Sequence, residues 1–306
     1  MHLLLGDSHD ACCLALRSML EAGGFPTHII SNPLLLPVRF SWRLNTERTA
    51  SKLAWEEQPH LPDDQIRGVF VGSSGWFDPT GWQPDDLAYM QAEVQAALLA
   101  WLWSLDCPVV NRYPPAIWYQ PQAPFLAWQR IIRQSGLPAP EILVTNVESE
   151  ARSFRQRLAR KGVNGAVYGA LTSEARYLLS SDEDWNGLSA IQRYTPVSLT
   201  VPHGAAQLVC IVGEQVIWND QPSPEMLLLE PALRRFSVTA GLAYVELAFA
   251  SGSEGLRVIA VEPHPHFETY HEKARQQILE GLVHLLTRET SFERKPLVSS
   301  SKRSLP

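Results

Sequence analysis

The sequence predicts a mixed α/β (α+β) protein that begins with a parallel, Rossmann-like sheet. The chain opens as strand, helix and strand: an apolar run at 2–5, apolar residues at helical spacing over 11–22, and another apolar run at 27–30. This βαβ order is typical of parallel sheets. After residue 112 a Tyr-Pro-Pro segment breaks the pattern, and shorter strands and helices follow. With 306 residues the chain is long enough for two such units.

We therefore expect a Rossmann-like domain over residues 1–112 and a second domain over 113–290. The segment 291–306 is rich in Ser, Lys and Arg and is expected to be a disordered tail. The other expected elements of the first domain are a strand at 66–71, a long helix at 85–104 and a strand at 109–110.

Hydrophobic periodicity and turn residues predict the elements of the second domain. Gly213 and Glu214 are expected to form the turn of a hairpin over 208–218. The other expected strands lie at 142–145, 166–168, 190–194, 243–249 and 256–262. The expected helices lie at 127–135, 149–161, 225–240 and 273–287.

Charge and cysteine content argue against several classes of protein. The formal net charge is -6 and the isoelectric point is near 5.9. Nucleic-acid binding depends on clusters of Lys and Arg, so no nucleic-acid partner is expected. No apolar stretch approaches the roughly 20 residues of a membrane span, and no membrane association is expected. The four cysteines form no CxxC pair, which is typical of reduced thiols in a cytoplasmic protein.

Several short motifs follow one another from residue 109 onward. They are, in chain order, Val109-Val110-Asn111-Arg112-Tyr113-Pro114, Gly136-Leu137-Pro138-Ala139-Pro140, Leu143-Val144-Thr145-Asn146, Leu208-Val209-Cys210-Ile211-Val212-Gly213-Glu214-Gln215-Val216 and Val258-Ile259-Ala260-Val261-Glu262-Pro263-His264-Pro265. Their order resembles the ATP-grasp superfamily, in particular its glutamate-ligase and peptide-maturation-ligase branch. The resemblance implies a Rossmann-like pre-ATP-grasp domain followed by an ATP-grasp domain.

The resemblance also implies an ATP-dependent ligase that joins a carboxylate to an amine. Enzymes of this family hold ATP between two sheets and transfer its γ-phosphate to the carboxylate, and the amine then attacks the acylphosphate. The implied cofactors are ATP and Mg²⁺ or Mn²⁺, and the implied substrate is a small-molecule or peptide carboxylate. Because the protein contributes little covalent chemistry, cations must neutralise the phosphate charge.

Three cations that the family places near the phosphates are absent from this sequence. The resemblance puts a lysine at Phe125, a second lysine at Gly169, and an arginine at Gln207 or Leu208. Gly169 is thus a candidate nucleotide contact without a side chain. Arg176 lies shortly after it and is the candidate catalytic residue that would replace the missing charge. The alternative is that Arg176 is a solvated surface arginine.

Glu246, Glu262 and His264 are the candidate metal ligands. By resemblance, Glu262 matches an acidic ligand of the family, Glu246 stands for an aspartate, and His264 replaces an asparagine. Glu262 and His264 are two residues apart, which places them on one face of an extended segment. This set is softer than an all-oxygen site and suits Mn²⁺ or Zn²⁺ better than Mg²⁺. The alternative is a solvated loop whose histidines bond to water and backbone.

Gln192, Arg193 and Tyr194 match the hinge strand of the family, whose backbone contacts adenine. Because backbone recognition survives side-chain changes, nucleotide binding could outlast catalysis. The leading interpretation is an ATP-grasp-like protein with reduced or lost ligase activity. The alternative is a non-catalytic binding or scaffold protein that uses the same cleft to hold a peptide or a partner enzyme.

Overall fold

The computed structural model describes residues 1–31, 38–44, 49–55, 61–72, 80–118, 125–163, 165–169, 176–252 and 255–288. Within these ranges the strands are β1 (His2–Leu5), β2 (Thr27–Ile30), β3 (Val38–Leu44), β4 (Thr49–Trp55), β5 (Leu61–Pro62), β6 (Gly68–Val71), β7 (Val109–Val110), β8 (Ile142–Thr145), β9 (Ala166–Gly169), β10 (Arg176–Leu179), β11 (Val197–Thr200), β12 (Gln207–Val212), β13 (Gln215–Trp218), β14 (Tyr244–Gly252) and β15 (Gly255–Glu262). The helices are α1 (Ala11–Ala22), α2 (Pro84–Ser104), α3 (Pro115–Trp118), α4 (Phe125–Gln134), α5 (Glu148–Arg160), α6 (Asp182–Gln192), α7 (Pro224–Leu227), α8 (Glu230–Ala240) and α9 (Glu272–Thr287). The expected tail at 291–306 lies outside the described residues.

The first sheet has the strand order β2-β1-β6-β7, and all of its pairings are parallel. We refer to it as the N-terminal sheet. Asp10 caps α1, because its Oδ1 accepts a hydrogen bond from the Cys13 backbone N–H over 2.7 Å. The Rossmann-like opening that the sequence predicts is therefore confirmed. A small antiparallel sheet of β3, β4 and β5 follows β2 along the chain and was not predicted.

The middle sheet has the strand order β10-β9-β11-β8, with antiparallel pairings. Helices α5 and α6 contribute Phe154, Leu158 and Trp185 to a core that also contains Leu199 of β11. This core is separate from the two larger cores of the molecule. The middle sheet and its two helices thus form a packed unit of their own.

The C-terminal sheet has the strand order β13-β12-β14-β15 and is antiparallel throughout. Gly213 has a φ of 60° in the β12–β13 turn, which is a left-handed conformation that glycine adopts without strain. This confirms the predicted hairpin. One large core joins the C-terminal sheet to the N-terminal sheet, with Leu3 and Leu5 of β1 and Val245 and Leu247 of β14 in the same cluster. The predicted domains on either side of residue 112 therefore share a core.

Two predictions of secondary structure are wrong. The expected strand at 190–194 is the end of α6 and a turn. Helix α6 starts at a capping box in which Ser181 and Asp184 each bond the backbone of the other. The helix then propagates through the apolar positions that suggested a strand. The expected single helix at 225–240 is two helices, α7 and α8.

All four cysteines are free thiols, as the sequence predicts. Burial raises the pKa of Cys12 to about 12 and that of Cys107 to about 11. Of the helices in the described part of the chain, none combines the length and the hydropathy that a membrane crossing requires.

Candidate functional site

Two carboxylates face each other at one end of the C-terminal sheet. The strand register pairs Glu246 of β14 directly with Glu262 of β15. The Glu246 side chain is only 6% exposed, and Glu262 is half-buried. Like charges at directly opposed positions destabilise a sheet, so this pair requires compensating donors or cations.

The segment that follows β15, Pro263 to His266, supplies such donors. Proline lacks an N–H and favours an extended conformation in the residue before it, so the backbone donors of this segment belong to His264 and His266. The His264 N–H donates to Glu262 Oε1 over 3.0 Å. The His266 N–H donates to Glu246 Oε2 over 3.2 Å, and His266 Nδ1 lies 3.2 Å from Glu246 Oε1. Hydrogen bonds from the two histidines of this Pro-His-Pro-His segment thus hold it against both carboxylates.

The His264 ring connects the same segment to the N-terminal sheet. Its Nδ1 lies 2.9 Å from the carbonyl oxygen of Gly72, just after β6, and 3.0 Å from the Tyr113 hydroxyl. A carbonyl oxygen can only accept, so Nδ1 carries the proton and Nε2 is the unprotonated nitrogen. Burial lowers the pKa of His264, which keeps the ring neutral at pH 7.

Tyr113 contacts the candidate site, although the sequence did not single it out. Its hydroxyl donates to the Pro263 carbonyl oxygen over 3.1 Å and accepts from Asn111 Nδ2 over 3.3 Å. Burial raises the pKa of Tyr113 above its ordinary value, so the phenol stays protonated. Tyr113 therefore positions His264 and the segment around it.

A cavity of about 360 Å³ adjoins this arrangement. It lies where the start of α1 and the carboxyl end of β6 meet the segment after β15. Its lining includes Asp10, Cys12, Tyr113, Tyr244, His264 and Glu268. Carboxyl ends of parallel strands are the usual ligand-binding edge of open α/β sheets. The geometry thus places a cavity and a carboxylate pair side by side.

No protein-family model matches the sequence, and no curated protein does. Solved structures are similar over nearly the whole chain. The macrocyclase MdnC bound with precursor peptide MdnA, from Microcystis aeruginosa MRC, has a TM-score of 0.73 at 17% identity, covering 94% of this chain and 99% of that chain. A RiPP-associated ATP-grasp ligase of Chryseobacterium gregarium, in complex with ADP and a leader and core peptide, has a TM-score of 0.70 at 14% identity, covering 93% and 96%. The ATP-grasp ligase PsnB, complexed with a phosphomimetic variant of minimal precursor, Mg and ADP, has a TM-score of 0.68 at 18% identity, covering 93% and 98%.

The chain has the ATP-grasp fold.

Within the ATP-grasp fold, the expected position of the second lysine is open. Gly169 ends β9, and a Cβ built on it would meet no atom of the described residues within 4 Å. The β9–β10 register pairs Gly169 directly with Arg176. The side chains of Arg176 and Phe125 lie outside the described residues. The backbone alone therefore places the candidate arginine beside the missing lysine.

Of the two positions at which the arginine is expected, Gln207 and Leu208, Leu208 lies on the carboxylate face of the C-terminal sheet. Cys210 pairs with Glu246, and Leu208 precedes Cys210 by two residues on the same strand. Alternate residues of a strand share a face, so Leu208 lies on the same face as Glu246. Leu208 therefore puts an apolar side chain on the same face as the carboxylate pair.

The residues expected to form the hinge strand do not lie in a strand, and their contact with adenine stays a prediction. Gln192 ends α6, where its side chain is buried and its Nε2 donates to the Thr145 carbonyl oxygen over 3.3 Å. Arg193 and Tyr194 follow in a turn, and Tyr194 is 90% exposed. The strand that leads toward the C-terminal sheet is β11, which starts at Val197.

The three predicted metal ligands do not form a metal site by themselves. Within the described residues, no group of three or more His, Cys, Asp or Glu side chains is arranged to hold a metal ion. His264 Nδ1 bonds Gly72 and Tyr113, so Nε2 is the ring nitrogen that could bind a ligand. Glu246 and Glu262 remain as two oxygen donors. Mg²⁺ usually takes one or two carboxylates together with substrate phosphates, so a nucleotide-borne Mg²⁺ fits this pair, whereas the softer three-ligand site does not.

Proposed function

We propose that this protein binds ATP with Mg²⁺ between its middle and C-terminal sheets and acts on a peptide, as a diverged relative of the ATP-dependent carboxylate–amine ligases. In this proposal Glu246 and Glu262 would hold the metal that accompanies the nucleotide. Such a metal would neutralise phosphate charge. Residues 1–112 would form the pre-ATP-grasp domain and 113–290 the ATP-grasp domain.

One observation supports the proposal. The sequence keeps the Glu246–Glu262 carboxylate pair but lacks the cationic residues that the resemblance implies near the phosphates. Glu246 and Glu262 are directly opposed on neighbouring strands, and each accepts a backbone hydrogen bond from the segment after β15. Carboxylate oxygens are the ligands that Mg²⁺ prefers. Gly169 and Leu208 occupy positions where the resemblance implies cations. Loss of a single preorganised charged contact typically slows a reaction by about 10²-fold or more. Ligation by this protein is therefore proposed to be slow or absent.

Arg176 is proposed as the residue that replaces part of the missing charge. Its backbone is the direct cross-strand neighbour of Gly169. Side chains at directly opposed positions on one sheet face have Cβ atoms about 5 Å apart. An arginine side chain is long enough to cover that separation and to bind a phosphate through two N–H groups.

A peptide is the proposed substrate because the similar solved structures were determined with precursor, leader or core peptides. The free thiols are typical of a reducing compartment, and we place the protein in the cytoplasm.

A second candidate function is a non-catalytic peptide-binding or scaffold protein, which the missing cations favour. The two functions share nucleotide and peptide binding and differ in turnover.

Isothermal titration calorimetry of ATP, with and without Mg²⁺, tests nucleotide binding. We expect binding that strengthens with Mg²⁺ and loses this dependence in Glu262→Gln. Glu225→Gln is the matched control, because Glu225 is an exposed residue in the first turn of α7. Absence of ATP binding in every metal condition would exclude both the ligase and the nucleotide-dependent scaffold. Release of phosphate on addition of a peptide would favour the ligase over the scaffold.

A further inference from the structure

The cavity at the edge of the N-terminal sheet adjoins the carboxylate pair without belonging to it. His264 and His266 both line the cavity, and both donate backbone hydrogen bonds to the carboxylate pair. A volume of about 360 Å³ is near the lower end of the range for small-molecule sites. The cavity therefore suits one side chain or a small ligand better than a nucleotide.

Hydrogen-bond acceptors predominate among the side chains of this cavity. The His264 Nδ1 proton is committed to the Gly72 carbonyl oxygen, so the nitrogen that remains for a ligand is the acceptor Nε2. Asp10 uses Oδ1 to cap α1 and keeps a second carboxylate oxygen. Glu268 lies at the exposed rim. A ligand with several N–H donors would satisfy these groups.

The charge of the cavity points to the same class of ligand. Among the described residues that line it, two are carboxylates and none is Lys or Arg. A carboxylate or phosphate ligand would lose its hydration and meet no cationic side chain among the described lining residues, and the start of α1, where an anion is favoured, already carries the Asp10 carboxylate. A protonated amine would instead gain two opposite charges. The cavity thus discriminates against the anionic partner of a ligation reaction.

Aromatic side chains form much of the remaining wall. Phe70, Tyr113, Tyr244 and Phe267 all line the cavity. Aromatic rings pack well against methylene groups, and their faces attract ammonium groups. A flexible alkyl chain that ends in an ammonium group matches both properties of the wall.

We propose that this cavity binds the side chain of a lysine or a similar primary amine, with its ammonium group between His264 Nε2 and the carboxylates of Asp10 and Glu268. The inference rests on the proposed function only for the peptide that would carry this side chain. It deepens that function by assigning the cationic side chain, and not the carboxylate, to the cavity beside Glu246 and Glu262.

The probe is n-pentylamine, which has a short alkyl chain and one ammonium group. Pentan-1-ol and pentanoate are its neutral and anionic counterparts. The readout is the imidazole nitrogen spectrum of the protein in solution, without nucleotide or metal, in which the signals of His264 are assigned by their loss in His264→Gln. We expect pentylamine to shift the His264 Nε2 signal saturably, and the two counterparts at equal concentration to leave it in place.

Two substitutions test the charge without disturbing the fold. Asp10→Asn keeps a side chain that caps helices well, and Glu268→Gln changes an exposed residue. Each is expected to weaken pentylamine binding about 2- to 5-fold, as for exposed ion pairs. Glu225→Gln, remote from the cavity lining, is expected to leave the affinity unchanged.

Equal shifts with pentylamine and pentan-1-ol would show that the cavity binds the alkyl chain alone, and would overturn the proposal. A shift with pentanoate alone would make it an anion site and also overturn it. The nucleotide titration separates this proposal from the proposed function. Pentylamine binding without ATP binding would support the amine-binding cavity and contradict the ligase-type function. ATP binding without pentylamine binding would contradict the amine-binding cavity alone.

Discussion

Asn111 and Tyr244 exchange hydrogen bonds in both directions. The Tyr244 backbone N–H donates to Asn111 Oδ1 over 2.7 Å, and Asn111 Nδ2 donates to the Tyr244 carbonyl oxygen over 2.5 Å. The Asn111 side chain thereby pairs with the start of β14 as a neighbouring strand would. Because Asn111 follows β7 of the N-terminal sheet and is fully buried, this contact joins two sheets at the base of the site.

Replacement of Asn111 by Asp should therefore destabilise the protein. The carboxylate keeps an acceptor for the Tyr244 N–H but loses the donor to its carbonyl oxygen, and it introduces a buried charge. We expect the free energy of unfolding to fall by about 2–4 kcal/mol, measured by urea denaturation. Asn146→Asp, at an exposed position, is the control and should change it by less than about 0.5 kcal/mol. Equal effects of the two substitutions would show that the paired hydrogen bonds between Asn111 and Tyr244 do not stabilise the protein.

Gly281 marks the closest approach of α9 to the C-terminal sheet. A Cβ at this position would lie 2.8 Å from Val212 Cγ1 and 3.2 Å from Gln215 Oε1. Gly281→Ala should therefore cost about 1–3 kcal/mol of stability through overpacking. Gly187→Ala is the matched control on α6, where a Cβ would meet nothing within 4 Å, and should stabilise by about 0.5–1 kcal/mol. Thermal unfolding of both variants would show opposite shifts, and a stabilised Gly281→Ala would refute the packing account.

His2 should make the stability sensitive to acid. It is only 3% exposed, and its Nε2 donates to the Leu286 carbonyl oxygen over 3.3 Å. Burial lowers the pKa of His2 from its ordinary value of 6.5. Above pH 6.5 the folded and unfolded states both hold a neutral ring, and stability is at its full value. Below pH 6.5 the unfolded chain takes up the proton first, so the free energy of unfolding falls until the lowered folded-state pKa is passed.

Denaturant unfolding between pH 8 and pH 5 measures this effect in the wild type and in His2→Gln. The variant should lose less stability over the acid range than the wild type, even if it is less stable at pH 8. If the free energy of unfolding depended on pH equally in the two proteins, His2 would make no contribution to the acid sensitivity of stability.

Local signals in the sequence were sufficient for much of the fold. The βαβ opening and the hairpin around Gly213 follow from apolar runs and a turn glycine. The strand predicted at 190–194 is wrong because the capping box at Ser181 and Asp184 starts a helix that reaches Gln192. Strand β11 has an alternation of Val197 and Leu199 with polar residues that would have identified it.

Some residues of the candidate site were predicted from the sequence, and others were missed. Glu246 and Glu262 were predicted as metal ligands by resemblance, and the register shows that they are direct neighbours. Tyr113 was missed because its partner Pro263 is 150 residues away in sequence, and no local pattern indicates such a contact. His264 was expected to bind metal; the same long-range contact orients its ring by holding Nδ1 against the N-terminal sheet, and no local pattern indicated that contact.

We propose that ATP binds between the middle and C-terminal sheets and that Arg176 replaces the lysine expected at Gly169. The most direct test is the Kd of ATP with Mg²⁺ for the wild type, Arg176→Gln, Gly169→Lys and the double variant, all measured by calorimetry. We predict that Arg176→Gln binds ATP about 10- to 100-fold more weakly, as for a hydrogen bond to a charged group, and that the added lysine restores binding in the double variant. Unchanged affinity in Arg176→Gln, or no binding by the wild type, would contradict the account.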